Sequence, residues 1–468
     1  MIESAELELN DAGARIETGG TAAWIGETRE LLKLAWPLVI TQLAQMAIMT
    51  TDVIMLGRLG KEAMAGAALG NTVFFFTWLL GLGPTAAIAP MIAHILGASP
   101  NNRAGVRAVT RMGLWSVLLL WLPLATFLLF TNDVLLFFAQ QPSLAASAGR
   151  FVLPLCLGLP CSLGYQVLRN YAMALGKPNA SLWVMAATIG FNALGDYALI
   201  FGHFGMPRLE LFGSGIASAC SYGFSFLAMI AIVFVMPTLR KYRIFRRFSR
   251  PDWSKFAELF RLGMPIGLTM IFEASLFNTA TLLMGTFGTA SVAAHMIALN
   301  LASITFMVPL GVAMASTVRV GLAAGAGDRV AVRRAGSSAL AVSTASMSVS
   351  ALVILVFRDQ IAGLYIAQTA ANADAVALAA VFLQVAAAFQ IFDGIQVTAA
   401  LSLRGLKDAQ MPMWIAGASY WLAGFPLCYG VGFGLGLKGL GVWIGLAFAL
   451  FVAALCMCLR FYHLARER

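Results

Sequence analysis

The sequence predicts an all-α integral membrane protein with twelve transmembrane helices in two parallel six-helix repeats, or lobes, around a central cleft. Of its 468 residues, 60% are hydrophobic and only 11% are charged, whereas a soluble domain carries about 25% charged residues. So few charges cannot cover a water-facing surface of a chain this long. A soluble enzyme, a disordered chain and a nucleic-acid-binding protein are therefore excluded.

Apolar stretches of membrane-spanning length determine the helix count, because a helix needs about 20 apolar residues to cross the hydrocarbon core. Glycine is abundant, with 45 residues, and small residues let membrane helices pack closely. The predicted spans are 34–56, 66–92, 112–130, 151–173, 180–201, 213–236, 262–285, 292–317, 336–357, 376–402, 413–433 and 439–460.

Charged segments divide the chain into five parts. Residues 1–30 are polar and acidic, and they lack the basic start and apolar core of a signal peptide. We expect a polar N-terminal tail there, followed by an N-lobe at 31–236, a basic cytoplasmic linker at 237–260, a C-lobe at 261–462 and a cytoplasmic tail at 463–468.

Lysine and arginine are distributed unequally between the two sides of the predicted helices. Of the 31 basic residues, 25 fall on the side that carries both termini and the linker. The positive-inside rule makes that side cytoplasmic. The basic run at 240–261 then anchors the topology, with a site for anionic lipid as the alternative. The six basic residues of the other side are Arg58, Lys61, Arg150, Arg208, Arg358 and Lys438.

Short motifs recur in the two halves of the chain at a nearly constant spacing. An even number of helices in each half makes the repeats parallel, related by an axis along the membrane normal, with a substrate cleft expected between them near mid-membrane. The recurring motifs include 33–37 with 261–265, 68–71 with 297–300, Gly164-x-Gln166 with Gly394-x-Gln396, and Gly213-x-Gly215 with Gly439-x-Gly441.

Four carboxylates lie inside predicted spans. A charged side chain at a helix centre costs about 2.5–3.5 kcal/mol on insertion scales, so an intramembrane acid is a functional candidate by default. The alternatives are a structural acid with satisfied hydrogen bonds, or a misplaced helix end. With a rise of about 1.5 Å per residue, the two acids of each half lie at matched depths. The four are Asp52 and Asp196 in the first half and Glu273 and Asp393 in the second.

Amide and hydroxyl side chains share helix faces with these acids. Asn192 precedes Asp196 by one helical turn, and we include it with the four acids among the predicted cation-coupling residues. Such oxygen-rich sites suit a hard cation or a proton relay, and Glu273 and Asp393 are the candidate ligands for Na⁺. The candidates for a polar lining of the cleft are Gln42, Gln45, Thr269, Gln390 and Gln396.

The acids do not follow the repeat. Glu273 corresponds to Gln45, Asp52 to Ala280, and Asp393 to Leu163. The acids are therefore not a remnant of the duplication, and we predict two differently specialised cavities.

Two prolines, Pro37 and Pro265, occupy matched positions near the cytoplasmic ends of the first and seventh spans. A proline inside a helix leaves a carbonyl unpaired and bends the helix. Both residues are therefore candidate hinges, with a tolerated early-helix proline as the alternative.

Several motifs together carry a family resemblance. From about residue 28 to residue 460, the chain resembles the multidrug and toxic compound extrusion (MATE) family, in its bacterial NorM-type branch. The segments that carry it are 35–37 with 51–57, Phe272-Glu273, 293–295, 298–300, 318–321, and 393–396 with 403–408.

The resemblance implies secondary active efflux of organic, often cationic, compounds in exchange for H⁺ or Na⁺, by alternating access of two lobes in the bacterial inner membrane. It implies no cofactor and no enzymatic activity. We expect a monomer that contacts its substrates and membrane lipid and binds no nucleic acid. By position, Asp52, Glu273 and Asp393 match the family's acids in helices 1, 7 and 10, and Asn192 matches a polar position in helix 5.

Asp196 departs from the family pattern, which commonly has asparagine there. An additional acid at this position would either favour protons as the coupling ion or hold a cationic substrate. The family's ion stoichiometry therefore does not carry over to this chain.

Two other functions compete with efflux. A flippase for lipid-linked precursors would favour a basic cleft for a pyrophosphate head group, whereas the intramembrane charges singled out above are acidic. An integral-membrane hydrolase or transferase would need a motif such as His-Glu-x-x-His or closely spaced aspartates for a metal, and the sequence contains neither.

Overall fold

The computed structural model describes residues 20–365 and 373–467, and these residues form twelve long helical spans. Eleven of the spans are continuous apolar helices long enough to cross a membrane. The remaining span, 410–434, alternates between α-helical and π-helical segments. The predicted all-α membrane fold with twelve helices is confirmed. The spans are α1 Thr21–Gly57, α2 Lys61–Ala86 continued by Ile88–Ala98, α3 Arg103–Leu129, α4 Pro142–Ala174, α5 Asn179–Phe201, α6 Glu210–Val235, α7 Trp253–Thr286, α8 Thr289–Gly325, α9 Arg329–Tyr365, α10 Ala373–Gly405, α11 410–434 and α12 Lys438–Glu467.

Several helices extend beyond the apolar stretches that predicted them. The first helix begins at Thr21, so 21–30 is helical rather than part of a polar tail, and residues 1–19 lie outside the described residues. The seventh helix begins inside the predicted linker, where the Asp252 side chain accepts a hydrogen bond of 3.1 Å from the backbone N–H of Lys255 and so caps the helix. The last helix likewise continues into the predicted tail at 463–468. Charged residues such as lysine, arginine and glutamate are good helix formers, so the helices continue past the apolar segment.

The two lobes have the same internal arrangement. In the N-lobe, α4 packs against α2, α3 and α6, and in the C-lobe, α10 packs against α8, α9 and α12. Each C-lobe helix in this set is the counterpart of the N-lobe helix six positions earlier in the chain. Two parallel six-helix repeats require this correspondence. Both α4 and α10 are the most deeply buried helices of their lobes.

Matched glycines bring the backbones of the two lobes together. A Cβ atom on Gly83 of α2 would lie 2.4 Å from the carbonyl oxygen of Gly263 of α7. In the same way, a Cβ atom on Gly311 of α8 would lie 2.8 Å from the backbone nitrogen of Val39 of α1. Because Gly83 and Gly311 are equivalent in the two repeats, these crossings are related by the axis between the repeats.

A second pair of contacts repeats this symmetry. A Cβ atom on Gly97 would lie 2.1 Å from the carbonyl oxygen of Leu322, and one on Gly325 would lie 2.3 Å from that of His94. Gly97 matches Gly325 and His94 matches Leu322 in the repeat. The interface is therefore self-complementary, like that of a twofold dimer.

The contact between the lobes is concentrated toward one face of the molecule. We call it the basic face, and define it by the start of α1, the linker 241–252 and the end of α12. The Glu27 carboxylate of α1 accepts two hydrogen bonds from the Arg319 guanidinium of α8, at 2.8 and 2.5 Å, and His94 Nε2 lies 2.8 Å from the carbonyl oxygen of Gly405. At the opposite end of α7, no atom of a neighbouring helix in the described residues lies within 4 Å of a Cβ added to Gly285. The lobes are therefore closed at the basic face.

The linker packs beneath the N-lobe. Side chains of α3 donate hydrogen bonds to its carbonyl oxygens: Arg107 Nε to Tyr242 at 3.2 Å and Arg111 Nη1 to Arg247 at 2.8 Å. Trp115 Nε1 donates to the carbonyl oxygen of another linker residue at 3.0 Å. These donors are spaced by four residues on one face of α3, so they fix the linker along that helix.

Substitution of Gly83 by alanine tests the contact between the lobes. The added methyl group would overlap backbone atoms of Gly263, which cannot move aside as a flexible side chain can. We expect Gly83→Ala to lower the free energy of unfolding by about 1–3 kcal/mol, the usual cost of overpacking, and to lower the melting temperature in detergent. Gly190 of α5 has open space around it, so Gly190→Ala is the matched control and should leave the melting temperature unchanged or raise it. Equal melting temperatures for the two variants would contradict this account of the interface.

Candidate functional site

The two acids of the N-lobe are neighbours in the structure. Asp52 lies on α1 beside Asp196 and Asn192 of α5, and the Ser214 hydroxyl of α6 lies beside Asp196. Asp196 is fully buried, and Asn192 and Ser214 are nearly so. Asp196 is therefore not at a hydrated helix end, although it lies only five residues before the end of α5.

The polar atoms of this N-lobe cluster are largely unpartnered. Among the described residues, both carboxylate oxygens of Asp196, both polar side-chain atoms of Asn192 and one carboxylate oxygen of Asp52 have no aligned hydrogen-bond partner. Buried polar groups are normally hydrogen-bonded, so these side chains form a site that would readily accept a cation or a proton.

The two acids of the C-lobe also meet in the interior. Glu273 lies in the middle of α7 and Asp393 in the middle of α10, and they are close enough to interact electrostatically. Asp393 is buried, and its Oδ1 atom has no hydrogen-bond partner among the described residues. The structure thus brings together the two acids of each half, which the sequence placed at similar estimated depths.

The structure adds two residues to the C-lobe acids that the sequence did not single out. Arg404 of α10 interacts electrostatically with Glu273, and Tyr420 of α11 interacts with both acids and with Arg404. Tyr420 is fully buried within a π-helical segment, and such segments are often found at functional sites. The C-lobe cluster therefore contains two acids, one base and one phenol.

The predicted cleft-lining side chains occupy different environments. Gln42 and Gln45 on α1 are half-buried, and Gln42 accepts a hydrogen bond from Arg169. Gln390 is buried inside the C-lobe, where its Oε1 atom accepts hydrogen bonds from Thr305 at 2.9 Å and Ser350 at 3.4 Å.

Gln396 and Thr269 are also buried. Together with Gln390, they belong to the C-lobe interior rather than to an exposed cleft surface. Amide and hydroxyl groups can form hydrogen bonds in an apolar interior as well as beside water, so residue type alone does not distinguish a buried position from a cleft position.

Both prolines lie well inside their helices, so the alternative of a proline in the first turn does not apply. The Thr41 hydroxyl donates a hydrogen bond of 2.7 Å to the carbonyl oxygen of Pro37, and the Thr269 hydroxyl donates one of 2.8 Å to that of Pro265. The two pairs occupy equivalent positions in the repeats. A hydrogen bond from a threonine hydroxyl to the proline carbonyl oxygen thus accompanies the interior proline in each lobe.

The two acid clusters have groups that can bind a cation or a proton. Within residues 20–365 and 373–467, no group of three or more histidine, cysteine, aspartate or glutamate side chains is arranged to hold a metal ion. Pairs of carboxylates beside amide or hydroxyl oxygens instead suit hard, weakly held cations or protons.

Comparison with known proteins identifies the family. The MatE family model matches residues 37–198 and 265–430, one segment in each repeat. A protein of Brucella suis biovar 1 named probable multidrug resistance protein NorM is 40% identical over 458 residues, which cover 97% of both chains. The protein of the same name from Mesorhizobium japonicum is 41% identical over 459 residues, covering 98% of this chain and 97% of its own.

A solved structure gives the same fold. The crystal structure of the eukaryotic MATE transporter AtDTX14 superimposes with a TM-score of 0.82 at 20% sequence identity, covering 95% of this chain and 98% of that one. The similarity of fold, the match in both repeats and the full-length relatives agree with each other. The chain therefore belongs to the MatE family and is a membrane transporter, not an enzyme.

Proposed function

We propose that the chain is a secondary transporter that exports organic, often cationic, compounds from the bacterial cytoplasm in exchange for H⁺ or Na⁺. The observation that carries the proposal is the pair of neighbouring acids in each lobe, a half-buried one beside a buried one: Asp52 with Asp196, and Glu273 with Asp393. The names of the relatives as multidrug resistance proteins support the same substrate class.

The interface between the lobes supports a mechanism of alternating access. In the present conformation the glycine-mediated contacts close the basic face. Opening this face requires the lobes to separate at Gly83–Gly263 and the equivalent crossing, and the ion pair of Glu27 with Arg319 must break. Pro37 and Pro265 supply the hinges in this proposal, because each interrupts the hydrogen bonding of a helix that forms the interface.

Coupling arises because cation and substrate compete for negative charge. A cation that neutralises the acids removes the attraction for a cationic compound, so binding of one favours release of the other. A membrane potential of 100 mV supplies about 2.3 kcal/mol per charge. One charge moved per cycle therefore sustains a concentration ratio of roughly fortyfold, at 1.4 kcal/mol for each factor of ten.

In this proposal the protein lies in the inner membrane with its basic face in the cytoplasm, the orientation that the positive-inside rule favours. Both termini are then cytoplasmic. Large apolar side chains such as Leu157, Trp183 and Leu282 are more than two-thirds exposed, and lipid is the medium that makes such exposure favourable. A monomer is sufficient for this mechanism because both repeats lie in one chain.

Neutralising either C-lobe acid tests the coupling site. We expect Asp393→Asn and Glu273→Gln each to lower efflux of a fluorescent organic cation by at least about tenfold, equivalent to 1.4 kcal/mol, because the cation no longer meets a negative charge. Efflux is measured in cells with matched amounts of protein in the membrane. Asp133→Asn is the control, since this acid is exposed on the short helix Thr131–Phe137. Normal efflux by either C-lobe variant would contradict the assignment.

The N-lobe pair predicts a change in pH dependence. Two neighbouring carboxyl groups titrate as a unit, so removal of either partner should change the pH profile of transport. We expect Asp52→Asn and Asp196→Asn both to alter the profile measured in proteoliposomes, whereas Asp133→Asn leaves it unchanged. An unaltered profile for Asp196→Asn together with an altered one for Asp52→Asn would show that Asp52 acts alone.

Orientation is tested by cysteine labelling. The six native cysteines are replaced, and single cysteines are introduced at Ser249 in the linker and at Met206 in the α5–α6 loop, both of which are exposed. An impermeant thiol reagent should label Met206→Cys in intact cells, and should label Ser249→Cys only after the membrane is opened. Labelling of Ser249→Cys in intact, non-leaky cells would refute the cytoplasmic assignment.

A further inference from the structure

A buried arginine in the N-lobe has hydrogen-bond partners that are all neutral among the described residues. Arg169 lies on α4 and is 4% exposed. Its Nη2 atom donates a hydrogen bond to Gln42 Oε1 of α1, and its Nη1 atom donates one of 3.3 Å to Gln166 Oε1. Nη2 also lies 3.6 Å from the Met314 sulfur of α8, in the other lobe. The Nε atom has no partner among the described residues.

The positive charge of Arg169 has no negative counterpart among the described side chains. Within the described part of the chain, no carboxylate lies within ion-pair distance of it, and the titratable group that interacts with it is the Tyr165 phenol. By contrast, Arg319 is paired with Glu27 and Arg404 interacts with Glu273. Burial of an unpaired ion is costly, so an arginine kept in this setting calls for a role that its charge performs.

Arg169 lies between the acids and the basic face. Its partner Gln42 precedes Asp52 by ten residues on α1, so the guanidinium lies roughly 15 Å closer to the basic face than the N-lobe acids. Met314 belongs to the C-lobe side of the interface. Arg319 follows it by five residues on α8 and lies nearer to the basic face than Met314 does. The guanidinium is therefore part of the layer in which the two lobes are closed.

We propose that Arg169 is an electrostatic barrier that prevents the coupling cation from passing between the acidic sites and the basic face while the lobes are closed. This inference rests on the proposed cation exchange. A fixed positive charge in a narrow, poorly hydrated passage excludes protons and other cations, as it does in water channels. Glutamine and methionine are suitable partners because they hold the guanidinium in position without cancelling its charge.

The same geometry explains how the barrier is removed during transport. Arg169 and Gln42 both belong to the N-lobe, whereas Met314 belongs to the C-lobe. Separation of the lobes at the basic face would break only the contact with Met314. The charge would then move away from the passage together with the N-lobe.

A leak measurement without substrate tests the barrier. The full-length protein is reconstituted in liposomes with an imposed proton gradient, and the decay of the gradient is followed at a clamped membrane potential. We expect Arg169→Met and Arg169→Gln each to dissipate the gradient at least about tenfold faster than the wild type, equivalent to 1.4 kcal/mol in barrier height. Arg169→Lys keeps the positive charge, so liposomes with this variant should hold the proton gradient as the wild type does.

Two controls separate a lost charge from a loosened structure. Met314→Ala opens space at the same place without removing the charge, so the proton gradient should decay at the wild-type rate. Glycerol and chloride permeation should not rise in the two neutral variants, because only cations meet the barrier. The inference is overturned if both neutral variants hold the gradient as the wild type does, if Arg169→Lys leaks as they do, or if glycerol and chloride leak in parallel with protons.

Failure of the barrier and failure of the proposed function give different results. In the same liposomes, wild-type protein is tested for substrate flux driven by the gradient. Failure of that flux would overturn the proposed exchange, whereas equal leak rates for the wild type and the neutral variants would overturn only the role of Arg169.

Discussion

The close backbone contact between the two lobes is the constraint on which the rest of the structure depends. In a bilayer there is no hydrophobic force to drive helices together, because lipid is as apolar as the helices themselves, and close packing at small residues takes its place. Gly83 and Gly311 provide this contact at one pair of crossings, and Gly97 and Gly325 provide it at another. Since the pairs are related by the repeat, one rigid-body movement can open both crossings together.

Charge is distributed around this interface in three different ways. The N-lobe holds two acids with no basic residue beside them in the described structure. The C-lobe holds two acids together with Arg404. The interface between the lobes holds Arg169 with neutral partners. Each arrangement attracts or repels a mobile cation differently. A duplicated fold has therefore acquired unequal lobes, and the acids that correspond to Gln45, Ala280 and Leu163 in the repeat already indicate this inequality in the sequence.

The sequence was sufficient to predict the twelve helices and the two repeats, and it gave similar estimated depths for the two acids of each half. A span must be apolar over the full thickness of the bilayer, and the constant rise of a helix converts residue spacing into depth, so both inferences rest on strict geometric limits. Helix ends were not predictable in the same way, because α1 and α7 continue through charged residues beyond the hydrocarbon. Tyr420 was not foreseen, since a π-helical segment changes which side chains of α11 face inward. Arg169 and Arg404 were assigned to the basic side from their positions alone, but their side chains are buried, which the sequence does not reveal.

The account is tested most directly by substrate flux in proteoliposomes under separately imposed gradients. Purified protein is reconstituted, and movement of a fluorescent organic cation is recorded with a proton gradient alone, with a sodium gradient alone and with neither. The account predicts flux against the concentration of the organic cation under at least one of the two gradients, and no such flux when both are absent. Flux that is the same under all three conditions would contradict it.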